Sequence, residues 1–130
     1  EDPIQVMFTG SVVQAKVVES LLSRAPFSSE YSLAVTVYQN RDFGMVDVIS
    51  PGCSKGSTLA AWVRERGWSR DDVMAIGDNL NDLEMLEYAG LPVVMGNCVP
   101  ELKSLGWRET LTNGEGGVAA AIEAYALGAL

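Results

Sequence analysis

The spacing of apolar residues changes near residue 50 and divides the chain into two patterns. In the first part, short apolar or alternating segments predict strands at residues 4–8, 31–38 and 43–49. Between the first two segments, Ser11 is a helix-capping residue type followed by apolar residues at helical spacing, which predicts a helix to about Arg24. This part of the chain therefore predicts a β-α-β-β unit whose last two strands form an antiparallel hairpin.

Helical and strand-like patterns alternate in the second part of the chain. Its short apolar runs are typical of strands that are buried on both faces. The predicted strands are 73–76, 92–95 and 110–112, and the predicted helices are about 57–66, 83–89, 100–105 and 117–127. In the helix over 57–66, we expect Leu59, Trp62 and Val63 on the buried face. The α-β-α-β-α-β-α order predicts a parallel sheet with helices on its faces.

A cluster of polar residues follows the predicted strand 73–76. Asp78, Asn79, Asn81 and Asp82 lie at its carboxyl end, which is the edge where open α/β sheets bind ligands. A carboxylate there suits Mg²⁺, which takes one or two protein carboxylates and completes its shell with substrate and water. Helix capping is the alternative for any one of these residues. Two Asp and two Asn together exceed what a cap requires, so the functional interpretation is favoured.

Composition narrows the functional classes. The chain has 130 residues, 48% of them hydrophobic, and 17 acidic against 9 basic residues give a net charge of −8. This balance disfavours binding to nucleic acid or to anionic membranes, and no apolar stretch is long enough to span a bilayer. Because the chain has no histidine and no Cys-x-x-Cys spacing, a zinc site and a histidine-dependent triad are excluded. Cys53 and Cys98 are expected to be reduced thiols in the cytoplasm.

An ordered set of motifs gives the chain a family resemblance. The set consists of Lys55-Gly56, Gly77 to Asp82 (Gly-Asp-Asn-Leu-Asn-Asp), Glu84-Met85-Leu86, Ala89-Gly90, Met95-Gly96-Asn97, and Thr112 to Ala119 (Thr-Asn-Gly-Glu-Gly-Gly-Val-Ala). Over residues 50–125 or so, it closely resembles the Cof-type phosphatases of the haloacid dehalogenase (HAD) superfamily. The resemblance implies an α/β fold with a partial Rossmann-like parallel sheet. Residues 50–130 would be the C-terminal part of the HAD core, and residues 1–49 the C-terminal part of an α/β cap.

The resemblance also implies roles for individual side chains. Lys55 would contact the phosphate, because a positive point charge suits the growing charge on the outer oxygens of a transferring phosphoryl group. Asp78 would bind Mg²⁺ directly, and Asn81 would reach the phosphate or the substrate. Asp82 would act from behind them, orienting Lys55 or a metal-bound water. Asn97 either lines the same sheet edge or serves as a turn residue.

The nucleophile that the resemblance calls for is missing. The family uses an aspartate in an Asp-x-Asp motif followed by Gly-Thr, and this chain has no such motif. We therefore expect the chain by itself to be inactive and to bind Mg²⁺ weakly at best. Cys98 departs from the family's usual alanine, but no histidine or other base lies nearby in sequence to activate it as a nucleophile.

Two interpretations follow. In the first, the chain, which begins Glu1-Asp2-Pro3 without an initiating Met, is the C-terminal portion of a Mg²⁺-dependent phosphatase. That enzyme would hydrolyse small phosphorylated metabolites such as sugar phosphates through an aspartyl-phosphate. In the second, the chain is a complete, non-catalytic protein that binds phosphate compounds or associates with itself. An open edge of its sheet would favour such self-association.

Overall fold

The computed structural model describes residues 5–128, and the chain divides into two compact units, residues 1–54 and 55–130. The predicted strand at 4–8 begins at Ile4, which lies outside the described residues. No helix among residues 5–128 is long and apolar enough to cross a membrane. Assigning the two units to a cap and a core stays a prediction.

The first unit is an antiparallel sheet with one helix packed against it. Its elements are β1 (Gln5–Gly10), α1 (Val12–Ser23), β2 (Ser32–Tyr38) and β3 (Phe43–Ile49), with a single turn of 3₁₀ helix at Ser28–Glu30 and another at Gln39–Arg41. The sheet order is β1-β3-β2, so β3 is central and its Val46 is fully buried. The β-α-β-β order and the antiparallel pairing of β2 with β3 agree with the sequence pattern.

Helix α1 begins as its sequence predicts and packs closely on the sheet. Ser11 accepts a hydrogen bond from the backbone N–H of Gln14 (3.2 Å), and the Gln14 side chain accepts one from the Ser11 N–H (2.9 Å). These two bonds satisfy N–H groups that a helix start leaves open. The helix lies so near β3 that a Cβ added at Gly44 would be 2.5 Å from the Cβ of Ala15. This packing therefore requires glycine, which has no Cβ, at position 44.

The second unit is a parallel sheet with short helices. Its elements are α2 (Lys55–Glu65), β4 (Met74–Gly77), α3 (Leu83–Tyr88), β5 (Leu91–Val94), α4 (Pro100–Lys103), β6 (Arg108–Glu109) and α5 (Gly117–Ala121), the last continued by a π-helical segment at Ile122–Ala126. The strand order is β4-β5-β6 and both pairings are parallel. The α/β fold with a parallel sheet and flanking helices is thus confirmed. Its core contains Ala75, Leu86, Ala89, Val94 and Leu102.

Two local predictions in this unit were wrong. Strand β6 lies just before the predicted 110–112, because exposed Arg108 and Glu109 pair through their backbone and give no apolar signal. Trp62 is not in the core: it is 44% exposed, whereas Val63 is fully buried. The buried face of α2 carries Gly56 and Val63, and the neighbouring position 62 points elsewhere. Its ring packs edge-to-face on Trp68, with a centroid distance of 5.3 Å.

Candidate functional site

The loop that follows β4 is built around the buried carboxylate of Asp82. Oδ2 of Asp82 accepts hydrogen bonds from the backbone N–H groups of Asp78 (3.0 Å) and Asn79 (3.3 Å). Asp82 can fold back onto the loop because position 77 is glycine: a Cβ there would be 2.6 Å from the Asp82 Cβ. The carboxylate therefore holds the backbone of the residues that the sequence marked as the site.

The other oxygen of Asp82 binds Lys55. Lys55 Nζ lies 2.5 Å from Asp82 Oδ1, and the side chains are 52% and 7% exposed respectively. An ammonium held at this distance by an ionised carboxylate forms a charge-assisted hydrogen bond, which is among the stronger polar contacts in proteins. The buried partner fixes where the charge of Lys55 sits, while half of the lysine side chain remains open to solvent.

A close approach of two helices brings Lys55 to this position. Lys55 is the first residue of α2, and Asp82 directly precedes α3. The helices touch at Gly56, where a Cβ would be 2.5 Å from the Cβ of Glu84 and 2.7 Å from its carbonyl carbon. Backbone atoms cannot move aside as a flexible side chain can, so the contact depends on glycine. The sequence distance between Lys55 and Asp82 is thus bridged by helix packing.

Asp78 lies at the end of β4 and is tied to the loop that follows β5. Its backbone carbonyl accepts a hydrogen bond from the N–H of Val99 (3.0 Å). Its carboxylate Oδ2 accepts one from Nδ2 of Asn97 (3.4 Å), and Oδ1 of Asn97 accepts one from the N–H of Asn113 (2.7 Å). The sequence left open whether Asn97 lines the sheet edge or serves as a turn residue. In the structure its side chain contacts both Asp78 at the edge and the backbone of Asn113 in a turn. Its position three residues after the end of β5 was the available signal.

The two asparagines of the loop differ in surroundings. Asn79 is buried and accepts a hydrogen bond from the N–H of Leu80 (2.8 Å). Asn79 therefore acts as the capping residue of the turn that follows. Asn81 is half-buried in the 3₁₀ turn Leu80–Asp82. Asn81 therefore lies on the same short loop as Asp78 and Asp82, and its predicted contact with phosphate or substrate stays a prediction.

Among residues 5–128, no group of three or more Asp, Glu, His or Cys side chains is arranged to hold a metal ion. Both oxygens of Asp82 are engaged, one by Lys55 and one by backbone amides. Asp78, half-buried at the sheet edge, has an oxygen with no bond to Asn97 and can offer it to a cation. Because Mg²⁺ often uses only one or two protein carboxylates, the Asp78 carboxylate fits the part of one ligand in a magnesium site.

The thiol of Cys98 is poorly suited to nucleophilic chemistry. Burial, and then the negative charge of Glu109, raise the pKa of the thiol above its ordinary value. A reactive cysteine needs the opposite shift, because the thiolate is the nucleophile. Cys98 packs against the core of the second unit and is half-buried there.

Comparisons with known proteins fit this arrangement. The model of the haloacid dehalogenase-like hydrolase family matches residues 1–122. The chain belongs to this family. Among its relatives, the pyridoxal phosphate phosphatase YbhA of Escherichia coli is 49% identical over 59 residues, which are 45% of this chain and 22% of that protein. The 5-amino-6-(5-phospho-D-ribitylamino)uracil phosphatase YitU of Bacillus subtilis is 40% identical over 81 residues, which are 62% of this chain and 30% of that protein.

Solved structures of other proteins superpose on most of the chain. A haloacid dehalogenase-like hydrolase from Bacteroides thetaiotaomicron has a TM-score of 0.73 and 31% identity, and the match covers 92% of this chain and 43% of that one. SMU.1108c from Streptococcus mutans has a TM-score of 0.81 at 23% identity, which shows the fold, with 95% and 45% coverage. The chain therefore spans under half of these structures and under a third of the two curated relatives. The predicted HAD fold is confirmed, and the roles of Lys55, Asp78, Asn81 and Asp82 stay predictions.

Proposed function

We propose that this chain supplies one half of the active site of a Mg²⁺-dependent phosphatase, and that the nucleophilic aspartate comes from polypeptide outside these 130 residues. The observation that carries the proposal is the contact between Lys55 and Asp82 beside Asp78, at the carboxyl edge of a parallel sheet. Family membership supports it, and so does the small share of each relative that the chain covers. The absence of an Asp-x-Asp motif from the sequence is the reason to place the nucleophile elsewhere.

Each side chain has a separate task in this proposal. Lys55 attracts the phosphoryl group and balances the negative charge on its oxygens, because a fixed cation costs no reorganisation when charge develops. Asp82 keeps the ammonium in place and at the same time holds the loop backbone. Asp78 is one ligand of Mg²⁺, which neutralises phosphoryl charge when it is bound. Asn81 contacts the phosphate or the rest of the substrate.

The proposed substrates are small phosphorylated metabolites, sugar phosphates among them. Two relatives are named for the small phosphorylated compounds pyridoxal phosphate and a phosphoribitylamino-uracil. The net charge of −8 argues against nucleic acid and anionic membranes as partners. Cys53 and Cys98 form no disulfide bond, which is consistent with the proposed cytoplasmic location.

One observation supports the second interpretation, a non-catalytic chain that binds phosphate compounds and associates with itself. Strand β1 lies at the edge of its sheet, carries no charged residue, and leaves Val6, Met7 and Phe8 more than 40% exposed. Charges and prolines usually protect such edges from pairing with another strand. Sedimentation velocity over a range of concentrations tests this: a Val6→Lys variant should stay monomeric where the unaltered chain associates.

A phosphatase assay combined with a binding measurement tests the main proposal. With p-nitrophenyl phosphate and Mg²⁺, the chain and its Asp78→Ala variant should both show no turnover above background. Inorganic phosphate should nevertheless shift the amide NMR signals around Lys55, and Lys55→Ala should abolish the shift. Lys103→Ala is the matched control, because Lys103 forms an exposed pair with Glu109 in the same unit.

The two parts of this experiment separate the alternatives. Turnover that Asp78→Ala abolishes would place a nucleophile inside the 130 residues and contradict the proposal. Phosphate shifts that survive in Lys55→Ala, or that disappear equally in Lys103→Ala, would remove Lys55 from its proposed role. Shifts confined to the neighbourhood of Lys55 and lost only in its own variant would support it.

A further inference from the structure

We infer that Asn97 is a positioning residue that sets the orientation of the Asp78 carboxylate and connects it to the turn at Asn113–Glu115. The inference deepens the role proposed for Asp78 and, in its magnesium-binding part, rests on that proposed function. Asn97 contacts Asp78 with one atom of its amide and the backbone of Asn113 with the other. A single side chain thus joins the loop after β4 to the loop after β6.

The hydrogen bond from Asn113 fixes which way the amide of Asn97 faces. A backbone N–H can only donate, so the atom 2.7 Å from it has to be the amide oxygen. The NH₂ group is then directed at Oδ2 of Asp78, at 3.4 Å. The shorter bond to Asn113 holds the Asn97 amide in this orientation. The NH₂ group therefore stays directed at Asp78, although the bond to Asp78 is longer and weaker. The other oxygen of Asp78 is left for a cation.

The turn that supplies the Asn113 N–H is itself held in place. Oε2 of Glu115 accepts hydrogen bonds from the hydroxyl of Thr112 (2.6 Å) and from its backbone N–H (3.2 Å). The N–H of Gly96, next to Asn97, donates to the carbonyl of Leu111 (3.2 Å). The partner of Asn97 is therefore a braced turn, which makes it a suitable reference point for the Asp78 side chain.

Outer partners of this kind affect metal binding measurably. Replacing a residue that hydrogen-bonds to a ligating carboxylate typically costs 10- to 100-fold in metal affinity. We accordingly expect Asn97→Ala to weaken Mg²⁺ binding by the 130-residue chain about tenfold or more. The Asp78 carboxyl carbon and the Asn113 amide report on the two ends of the connection by NMR.

A pair of variants at position 113 tests the connection without touching Asn97 or Asp78. Asn113→Pro removes the N–H that holds Asn97 together with the side chain of residue 113, and proline suits the first position of a helical turn. The preceding residue, Thr112, has φ −70° and ψ 165°, an extended conformation that a following proline favours. Asn113→Ala keeps the N–H and is the matched control. Thermal melting of each variant verifies that the second unit remains folded.

The first measurement is made on the metal-free chain. Asn97→Ala and Asn113→Pro should both shift the Asp78 carboxyl carbon signal, whereas Asn113→Ala should leave it within the spread of unrelated surface variants. If Asn113→Pro leaves the Asp78 signal unchanged, the connection through Asn97 is wrong. If Asn113→Ala shifts it as much as Asn113→Pro, the side chain of residue 113 and not its N–H is responsible, which also overturns the inference.

The second measurement is a Mg²⁺ titration of the same proteins. Weaker Mg²⁺ binding in Asn97→Ala and Asn113→Pro, with Asn113→Ala unchanged, supports the inference. Equal Mg²⁺ affinity in all four proteins overturns it as a statement about metal binding, while the role of Asp78 as a ligand stands. No Mg²⁺ response in the unaltered chain is compatible with the proposed function, in which part of the active site lies outside these residues, and the metal-free comparison alone then decides whether Asn97 orients Asp78.

Discussion

The two units of this chain stabilise their polar groups in different ways. In the first unit, Asp47 accepts a hydrogen bond from the side chain of Gln5 at an exposed position on paired strands (2.6 Å). In the second, Asp82 is buried and serves two backbone amides and Lys55 at once. When an exposed carboxylate is removed, water takes its place as a hydrogen-bond partner at little cost. When a buried carboxylate is removed, several buried groups are left without partners. The difference indicates that the loop of residues 78–82 is built for a fixed geometry.

The largest expected effect comes from removing that buried carboxylate. Asp82→Ala should lower the free energy of unfolding by about 3 kcal/mol, because a buried carboxylate and its hydrogen bonds to two amides and an ammonium are lost. Urea unfolding followed by circular dichroism, which reports on both units, measures this. Asp47→Ala in the first unit is the counterpart and should cost no more than about 0.5 kcal/mol. Equal costs would remove the distinction between the two units.

Close glycine contacts provide the next effect, and one contact from each unit is compared. Gly56→Ala would press a methyl group on the backbone of Glu84, and Gly44→Ala would press one on Ala15. Overpacking of this kind costs about 1–3 kcal/mol in the free energy of unfolding. Gly114→Ala, where an added Cβ meets nothing within 4 Å in the described structure, should be near neutral. Differential scanning calorimetry of the three variants tests these costs.

The same variants sharpen the comparison when phosphate binding is measured as well. Only Gly56→Ala should weaken it, because only α2 places Lys55. If Gly44→Ala weakened phosphate binding to the same extent, the binding loss would follow general destabilisation and would not report on Lys55.

A smaller effect is expected from the lysine side of the pair. Lys55→Met leaves the buried Asp82 without its cation, but water can partly replace an ammonium whose side chain is half exposed, so we expect about 1 kcal/mol of destabilisation. Lys103→Met breaks an exposed pair with Glu109, which solvent screens, and should cost less than Lys55→Met. Urea unfolding at low and high salt separates the contributions of the two pairs. If Lys55→Met lowers the free energy of unfolding no more than Lys103→Met does, that result argues against a structural role for the Lys55 pair.

The smallest effect depends on pH. Hydrogen bonds from Thr112 hold the pKa of Glu115 below its ordinary value of 4.5. A carboxyl group with a lowered folded-state pKa contributes stability that is fully present above its unfolded-state value and is lost as pH falls through the folded-state value. Thr112→Val removes the hydroxyl donor and should move the pKa back up, which carboxyl-carbon NMR measures directly. An unchanged pKa would mean that the turn is not held by this bond.

The sequence allowed most of the elements and part of the site to be predicted. Periodic apolar spacing predicted the strands and helices because burial of one face leaves that period in the sequence. Asp78 and Asp82 were found because several polar residues follow a buried strand. The family resemblance left Asp82 to orient either Lys55 or a metal-bound water, since no local pattern reports on groups this far apart in sequence. The link from Asn97 to Asn113 leaves no period at all, because it joins two loops.

Trp62 shows why burial was harder to predict than structure type. Apolar character suggested a core position, yet the close contact at Gly56 sets which face of α2 turns inward. The tryptophan lies beside that face, and the guanidinium of Arg66 packs over its ring, 4.7 Å from the centroid. Large aromatic side chains with such partners are stable at a surface. A pattern of apolar residues therefore indicated the buried side of α2 at Val63, but it did not separate that position from the exposed one beside it.

The close approach of Gly77 to Asp82 restricts how this loop can diversify. The space that a Cβ at position 77 would need is already taken by the first atoms of the Asp82 side chain. Positions 77 and 82 are therefore not independent variables in a mutational library or in evolutionary drift. Any side chain at 77 displaces the group that anchors Lys55, so a variant selected for a new substrate can change the rim of the site freely while these two positions stay fixed together.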